Sequence, residues 1–313
     1  MNVDCLIKGV DVVSGQGTFS GDVAGIYYDS KLCKEDSMFV AVAGMKFDGH
    51  EFIPEAVSNG ARVIVHEKDY IPPAGVSAIR VKDSRRALGA LAKNFFHHPS
   101  SRLCLVGVTG TNGKTTITYL LESIFRAAGL STGVLGTVNY RFNEKIRPAP
   151  NTTPESFDMQ RILSEMADDG VTHVVTEVSS HSLDLKRVDD CDFDIGIFTN
   201  QTQDHLDYHK NMENYYQAKK RMFSEVIPAG SKEREYKAVV NADDEWGQRL
   251  IKETNLKTLS FGINNPSDVK AQAYNLTIGG IEARVSTLNG SLDIASPLIG
   301  GFNLSNILAA GAA

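Results

Sequence analysis

Residues Val106-Gly107-Val108-Thr109-Gly110-Thr111-Asn112-Gly113-Lys114-Thr115-Thr116 constrain this chain more than any other stretch. An apolar run, Leu103 to Val108, ends in a glycine-rich turn, and Lys114 opens a segment of helical period. The order is therefore strand, phosphate loop, helix. Gly110 and Gly113 reach backbone angles closed to other residues and let amides approach an oxyanion. The new helix adds its positive end, Lys114 a point charge, and Thr115 a hydroxyl suited to Mg²⁺. A nucleoside triphosphate is the ligand such a loop is built for. The general pattern wants glycine where this chain has Val108, with Gly107 one step earlier, so the loop is a variant; a Gly-Thr-rich turn with no ligand is the alternative.

At 313 residues the chain can hold two or three domains and an ample core. A net charge of -6 argues against a general nucleic-acid or membrane-surface role, although a local basic pocket can still take an anion. Cys5, Cys33, Cys104 and Cys191 form no close pair, which points to a reducing compartment and no structural zinc. No basic leader precedes a long apolar run, and no apolar stretch approaches eighteen residues. A cytoplasmic monomer is expected.

Residues 1 to 98 look like a small α/β unit. Asp36 to Gly44 and Ala61 to Val65 read as strands, Phe52 to Asn59 and Arg85 to Phe96 as helices, and His97 to Ser101 as a linker. From 99 to 313 strand and helix alternate. Lys114 to Ala128 carries an apolar stripe ended by Gly129, Ser156 to Asp169 is helical, and His173 to Val178, Phe193 to Thr199 and Lys237 to Asn241 are strands. A mostly parallel sheet covered on both faces follows. After about Asp268 the texture changes to short strands with hairpin turns at Gly279-Gly280 and Asn289-Gly290, a short antiparallel portion. Asn303 to Ala313 begins a helix without a stop signal, so a truncated central domain is expected.

Three features beyond the loop could carry chemistry. Glu177 closes the apolar His173 to Thr176 and falls on the same sheet edge as the phosphate loop, where a carboxylate can hold Mg²⁺ or simply be a solvated loop residue. The run Thr199 to His209 crowds Asp204, His205, Asp207 and His209 together, either as metal ligands or as a hydrogen-bonded loop. Lys219 lies in the middle of the helical stripe Tyr215, Ala218 and Met222, while Lys220 and Arg221 point away. A lysine there must snorkel to water, pair with an anion, or be neutralised chemically.

These residues together resemble the Mur ligases of bacterial cell-wall synthesis, and among them the branch that adds the third amino acid of the stem peptide. The resemblance runs through Asp29-Ser30, Asp48-Gly49, Gly110 to Thr116, Asn151-Thr152-Thr153-Pro154, Glu177-Val178-Ser179-Ser180-His181, Phe198-Thr199-Asn200, Asp204 to His209, Ala218-Lys219 and Asn241 to Asp244. The Glu-Val-Ser-Ser-His and Asp-His-Leu-Asp-Tyr-His strings are its most specific parts.

The resemblance implies roles. Gly110, Thr111, Asn112, Gly113, Lys114, Thr115 and Thr116 would bind ATP, and Thr115, Glu177 and His205 would help hold Mg²⁺. Lys114, His205 and Lys219 would be catalytic, Lys219 as a CO₂-derived carbamate serving the metal site. Tyr28, Ser30, Met45, Lys46, Phe47, Asn151, Thr152, Thr153, Ser179 and Arg187 would bind the UDP-MurNAc-dipeptide, the second substrate being an amino acid. Leu185 stands where some members carry glutamine, and Lys31 where arginine is common. The family's reaction activates a glutamyl carboxylate as an acyl phosphate, which an amine then attacks; the amine site lies largely on a C-terminal domain expected to be absent here. Another superfamily branch, of the MurF or folylpolyglutamate synthase type, and a non-catalytic phosphate-loop module are the competing readings.

Overall fold

The computed structural model describes residues 1–17, 21–44, 47–235 and 237–313. Contacts divide the chain into two compact units. One comprises Met1–Pro99 with Glu155–Ser164 and Leu185–Asp190; the other comprises Ser100–Pro154 with Glu165–Asp184 and Cys191–Ala313. Two later segments thus join the N-terminal residues in the first unit, which a linear reading of the chain has no means to see.

The first unit is built on strands β1 (Val12–Gln16), β2 (Ile26–Tyr27), β3 (Ser37–Val40), β4 (Ala61–His66) and β5 (Ser77–Val81), in the order β1-β5-β4-β3-β2. Only β1 runs antiparallel, against β5. Because parallel strands are covered on both faces, neighbouring residues of β4 feed different cores. Val63 and Val65 join Leu6, Met38, Val40, Leu88 and Leu91, while Ile64 joins Phe39, Ile53 and Ala56. Helices α1 (Val3–Leu6), α2 (Ile53–Ser58) and α3 (Ser84–Phe95) supply those covers. The start of α3 is fixed twice: Asp83 accepts from the Arg86 amide at 2.9 Å, and Glu67 Oε1 accepts from the Ser84 amide at 2.6 Å.

The second unit continues with β6 (Cys104–Thr109), α4 (Lys114–Ala127), β7 (Thr132–Leu135), β8 (Asn139–Phe142), β9 (Lys145–Pro148), α5 (Ser156–Asp168, begun within the first unit) and β10 (His173–Glu177). Then come α6 (Ser180–Asp184), β11 (Ile195–Phe198), α7 (Leu206–His209), α8 (Met212–Arg221), a π-helical turn Met222–Val226, α9 (Ile227–Ala229), β12 (Ala238–Asn241), α10 (Glu245–Glu253) and β13 (Thr258–Gly262). The chain closes with β14 (Val269–Thr277), β15 (Gly280–Thr287), β16 (Gly290–Ser296) and α11 (Gly301–Ala312). Among the described residues one 11-stranded sheet results, ordered β16-β15-β14-β13-β12-β11-β6-β10-β7-β8-β9. Its middle, β14 to β7, is parallel, and both edges are antiparallel.

This is the α/β architecture the alternating pattern predicts, with the hairpins after Asp268 as expected. The β8–β9 hairpin at the far edge is a strand pair the sequence reading leaves out; its turn uses Asn143 at φ 49°. The core lies between the sheet and helices α4 and α11, around Val106, Val108, Ile117, Leu121, Val175, Leu304 and Leu308. On the opposite face Gly107 pairs with Gly196; a side chain at Gly107 would collide with the Met222 methyl and one at Gly196 with Ile227, which fill the groove the two glycines leave. No helix among the described residues is long and apolar enough to cross a membrane.

Candidate functional site

Strand β6 lies between β10 and β11, and the chain leaves it first toward β7 and β10, then later toward β11. That reversal opens a crevice at the carboxyl ends of the strands, and the glycine-rich loop fills it. Gly110 (φ 141°) and Gly113 (φ 90°) take the left-handed angles expected of them. Gly113 is the N-cap of α4 and offers no side chain, so no side-chain cap occupies the helix start.

Residues of the loop behind β11 hold the turn in shape. The Thr111 amide donates to Asn200 O at 2.9 Å and the Asn112 amide to Asn200 Oδ1 at 3.0 Å, while Thr199 Oγ1 donates to Asn112 O at 2.6 Å. A Cβ on Gly110 would overlap Thr199 Oγ1, and one on Gly113 would overlap Asn306 Oδ1. Lys114 folds back on the loop, its Nζ donating to Gly110 O at 2.7 Å and Thr111 O at 2.8 Å, and burial lowers its pKa.

Glu177, 1% exposed, stands opposite Thr115. Its Oε1 accepts from Thr115 Oγ1 at 2.9 Å and from the Thr137 amide at 3.0 Å, and its Oε2 accepts from Thr137 Oγ1 at 3.1 Å. Thr137 Oγ1 is 3.1 Å from Thr152 Oγ1. Thr153 is buried and structural in its contacts: its hydroxyl donates to Glu177 O at 2.8 Å and accepts from the Ser179 amide at 3.1 Å. The Asn151 carbonyl accepts from the Tyr140 hydroxyl. Together Thr111 to Thr116, Thr137, Thr152, Glu177, Ser179 and His205 line a cavity of about 360 Å³.

His205 reaches that cavity from a left-handed backbone position, φ 52°, with its ring 4.8 Å from that of His181. The rest of the histidine-rich run is a bonded cluster rather than a set of free ligands: His209 Nε2 meets Ser180 Oγ at 2.9 Å and Tyr208 OH donates to Asp184 Oδ2 at 2.5 Å. Burial and neighbouring His181 push His209 down to about 4, so its ring is neutral near pH 7. Among the described residues no three His, Cys, Asp or Glu side chains converge as a metal site.

Lys219 does not line the cavity; it lies behind Thr111 and is fully buried. Its Nζ donates to Gln201 Oε1 at 3.2 Å and Thr111 Oγ1 at 3.3 Å, and sits 3.2 Å from the centroid of the Tyr215 ring. Snorkelling, one of the three readings open from the sequence, is thereby removed. Burial first, and then the charge of Lys114, push its pKa down to about 6.

The remaining expected positions belong to the first unit. Ser30 Oγ donates to Glu55 Oε2 at 2.5 Å, and Tyr28 OH donates to Asp158 Oδ2 at 2.6 Å. Arg187 and Arg85 share one carboxylate oxygen, Glu155 Oε2, at 3.3 and 3.1 Å. Phe47 is exposed and meets Phe52 edge-on, while Met45 and Lys46 lie outside the described residues.

Four residues of the site were given no role by the sequence reading: Thr137, Gln201, Asn306 and, as a brace, Asn200. Asn306 had a signal, since Asn303 and Asn306 are buried polar positions in a mostly apolar helix, the same anomaly that marks Lys219. Thr137 had none, because it sits in the short connection after β7.

Strand, glycine-rich loop and helix N-terminus at the switch point of a parallel sheet define a phosphate-loop α/β protein. Comparison with known proteins narrows the class. Residues 108–313 match the model of the Mur ligase middle domain, and residues 22–96 match that of the Mur ligase family, catalytic domain. Over its whole length the chain is 42% identical to the UDP-N-acetylmuramoyl-L-alanyl-D-glutamate--2,6-diaminopimelate ligase of Geobacter sulfurreducens, covering 62% of that protein. A solved structure of a ligase of the same name superposes with a TM-score of 0.79 at 25% identity, over 94% of this chain and 60% of that one. At 23% identity, the Thermotoga maritima MurF ligase, solved in complex with ADP, shares the fold with a TM-score of 0.59, over 91% of this chain and 61% of its own. The chain belongs to the Mur ligase family. It spans about three fifths of the length of the relatives it matches.

Proposed function

We propose that this chain carries the nucleotide-binding and UDP-MurNAc-dipeptide-binding parts of an ATP-dependent amide ligase of peptidoglycan synthesis. In this reading residues 1–98 hold the UDP-sugar end of the substrate and residues 99–313 hold ATP. The observation that carries it is the cavity at the end of β6, where Lys114, Thr115 and Glu177 surround an uncapped helix N-terminus. The name of these relatives supports UDP-MurNAc-L-Ala-D-Glu as the acid and 2,6-diaminopimelate as the incoming amine.

The wall of the cavity suits Mg²⁺, which takes oxygen ligands: a buried carboxylate beside the hydroxyls of Thr115 and Thr137. Thr115, Glu177, His205 and Lys219 as a carbamate would hold the ion. Bound there, the metal would neutralise charge on the transferring phosphate. Lys114 would exchange its two carbonyl acceptors for phosphate oxygens, and the α4 amides would cradle the same group. Lys219, dry and poor in protons at neutral pH, has the free amine that carbamate formation requires. Tyr28, Ser30, Met45, Lys46, Phe47, Asn151, Thr152, Thr153, Ser179 and Arg187 would bind the dipeptide substrate. The reaction is the transfer of phosphate to the glutamyl carboxylate, followed by attack of the amine on the acyl phosphate. Most of the catalysis is then positioning and charge stabilisation.

Calorimetry with Mg²⁺-ATP and with UDP-MurNAc-L-Ala-D-Glu tests the reading, followed by mass spectrometry for the tripeptide when an amino acid is added. Binding of both ligands is expected. Preference for a folate or for UDP-MurNAc-tripeptide would instead assign the chain to the folylpolyglutamate synthase or MurF type.

A further inference from the structure

Gln201 is 4% exposed and faces Lys219, yet nothing in the nucleotide cavity requires it. Both ends of its side chain are committed. Nε2 donates to Met212 O at 2.9 Å, and Oε1 accepts from Lys219 Nζ at 3.2 Å. Its backbone is pinned as well, the amide donating to Asp244 Oδ2 at 3.0 Å. A carbonyl can only accept, so Met212 decides which end of the amide points at the lysine. The oxygen is held toward Nζ before any chemistry takes place.

We propose that Gln201 is a positioning residue for the Lys219 carbamate, accepting the one N–H that the carbamate nitrogen retains. The inference rests on the carbamate proposed above. In forming it, the amine lone pair attacks the carbon of CO₂, a C=O π pair moves onto oxygen, and the nitrogen gives one proton to solvent. The product, R–NH–CO₂⁻, has a single N–H and two acceptor oxygens. Gln201 Oε1 already stands where the first needs a partner. The hydroxyls of Thr111 and Tyr215, 3.3 Å apart, are the nearby groups able to donate to the second. With its N–H tied to Gln201, the planar carbamate loses free rotation. An apolar residue at 201 would leave that N–H without an acceptor in a pocket closed to water.

Carbon-13 NMR of the whole chain in ¹³C-bicarbonate reads the carbamate directly, with Lys219→Met as the blank. Gln201→Met keeps the length of the side chain and removes both polar ends. It is expected to weaken the apparent CO₂ affinity about tenfold, the size of one buried hydrogen bond, with circular dichroism unchanged. Gln201→Glu keeps an oxygen in place but pairs its charge with an ammonium, which has no lone pair; the carbamate resonance is expected to vanish. Should Gln201→Met fold poorly, the Glu variant decides alone. Wild-type occupancy in either variant overturns the role of Gln201. A wild-type spectrum identical to the Lys219→Met blank overturns the carbamate itself, a separable failure.

Discussion

Among the described residues the Lys219 ammonium position contacts a hydroxyl, an amide oxygen and a ring face, all neutral, and that sets a measurable cost at the scale of one residue. Its pKa falls from the usual 10.5 to about 6 in the fold. Between those values the unfolded chain holds a proton that the folded chain refuses, so stability rises with pH across that window. Lys219→Met removes the effect. In bicarbonate-free buffer at pH 7 the variant should be more stable by on the order of 2 kcal/mol, net of two lost hydrogen bonds. Its denaturant midpoint should also lose the rise from pH 6 to 10. A variant less stable than wild type, with the same slope, would mean that the lysine is charged in the fold. Lys114 is the counterpart, the lysine proposed to meet the phosphates. Lys114→Ala should weaken Mg²⁺-ATP binding by about 1.5 to 3 kcal/mol or more, the value of a charged hydrogen bond; equal affinities in calorimetry would remove the lysine from the phosphate site.

At the scale of the element, the phosphate loop is a turn whose shape is enforced from outside. Thr199 and Asn200 come from the loop beyond β11 and Asn306 from α11, and they occupy the space that side chains at Gly110 and Gly113 would need. Gly113→Ala is both strained at φ 90° and in collision with Asn306. It should lose ATP binding at least tenfold while far-UV circular dichroism stays that of the wild type. Removing the collision with Asn306→Ala in the same chain should recover only part of the affinity, because the backbone strain persists. Full recovery in isothermal titration would show that the clash alone mattered.

At the scale of the whole molecule, each unit has its own core, and the loop belongs to one of them. Saturating Mg²⁺-ATP should therefore slow amide exchange in β6, α4 and β10, by up to about 2.7 kcal/mol at a hundredfold excess over Kd. The β3, β4 and β5 amides of the first unit should change little; equal protection there would show that the nucleotide stabilises both units as one. Periodicity and glycine placement were enough to read β6, the loop and α4, since these depend on residues close in sequence, and the apolar stripe was enough to single out Lys219. Hairpin β8–β9 has strands of four residues, with Tyr140, Arg141 and Phe142 all buried in β8 and Ile146 turned outward in β9, and so gave no such pattern. The sequence by itself determined the alternation of strands and helices, the phosphate loop and a lysine in need of an explanation, because local spacing decides which face each residue presents. Only the tertiary structure decided that Gln201 and Thr111 meet that lysine, that Asn306 covers Gly113, and that residues 155–164 and 185–190 join the first unit. Those pairings join residues 18 to 193 positions apart, where register and packing, not spacing, choose the partner.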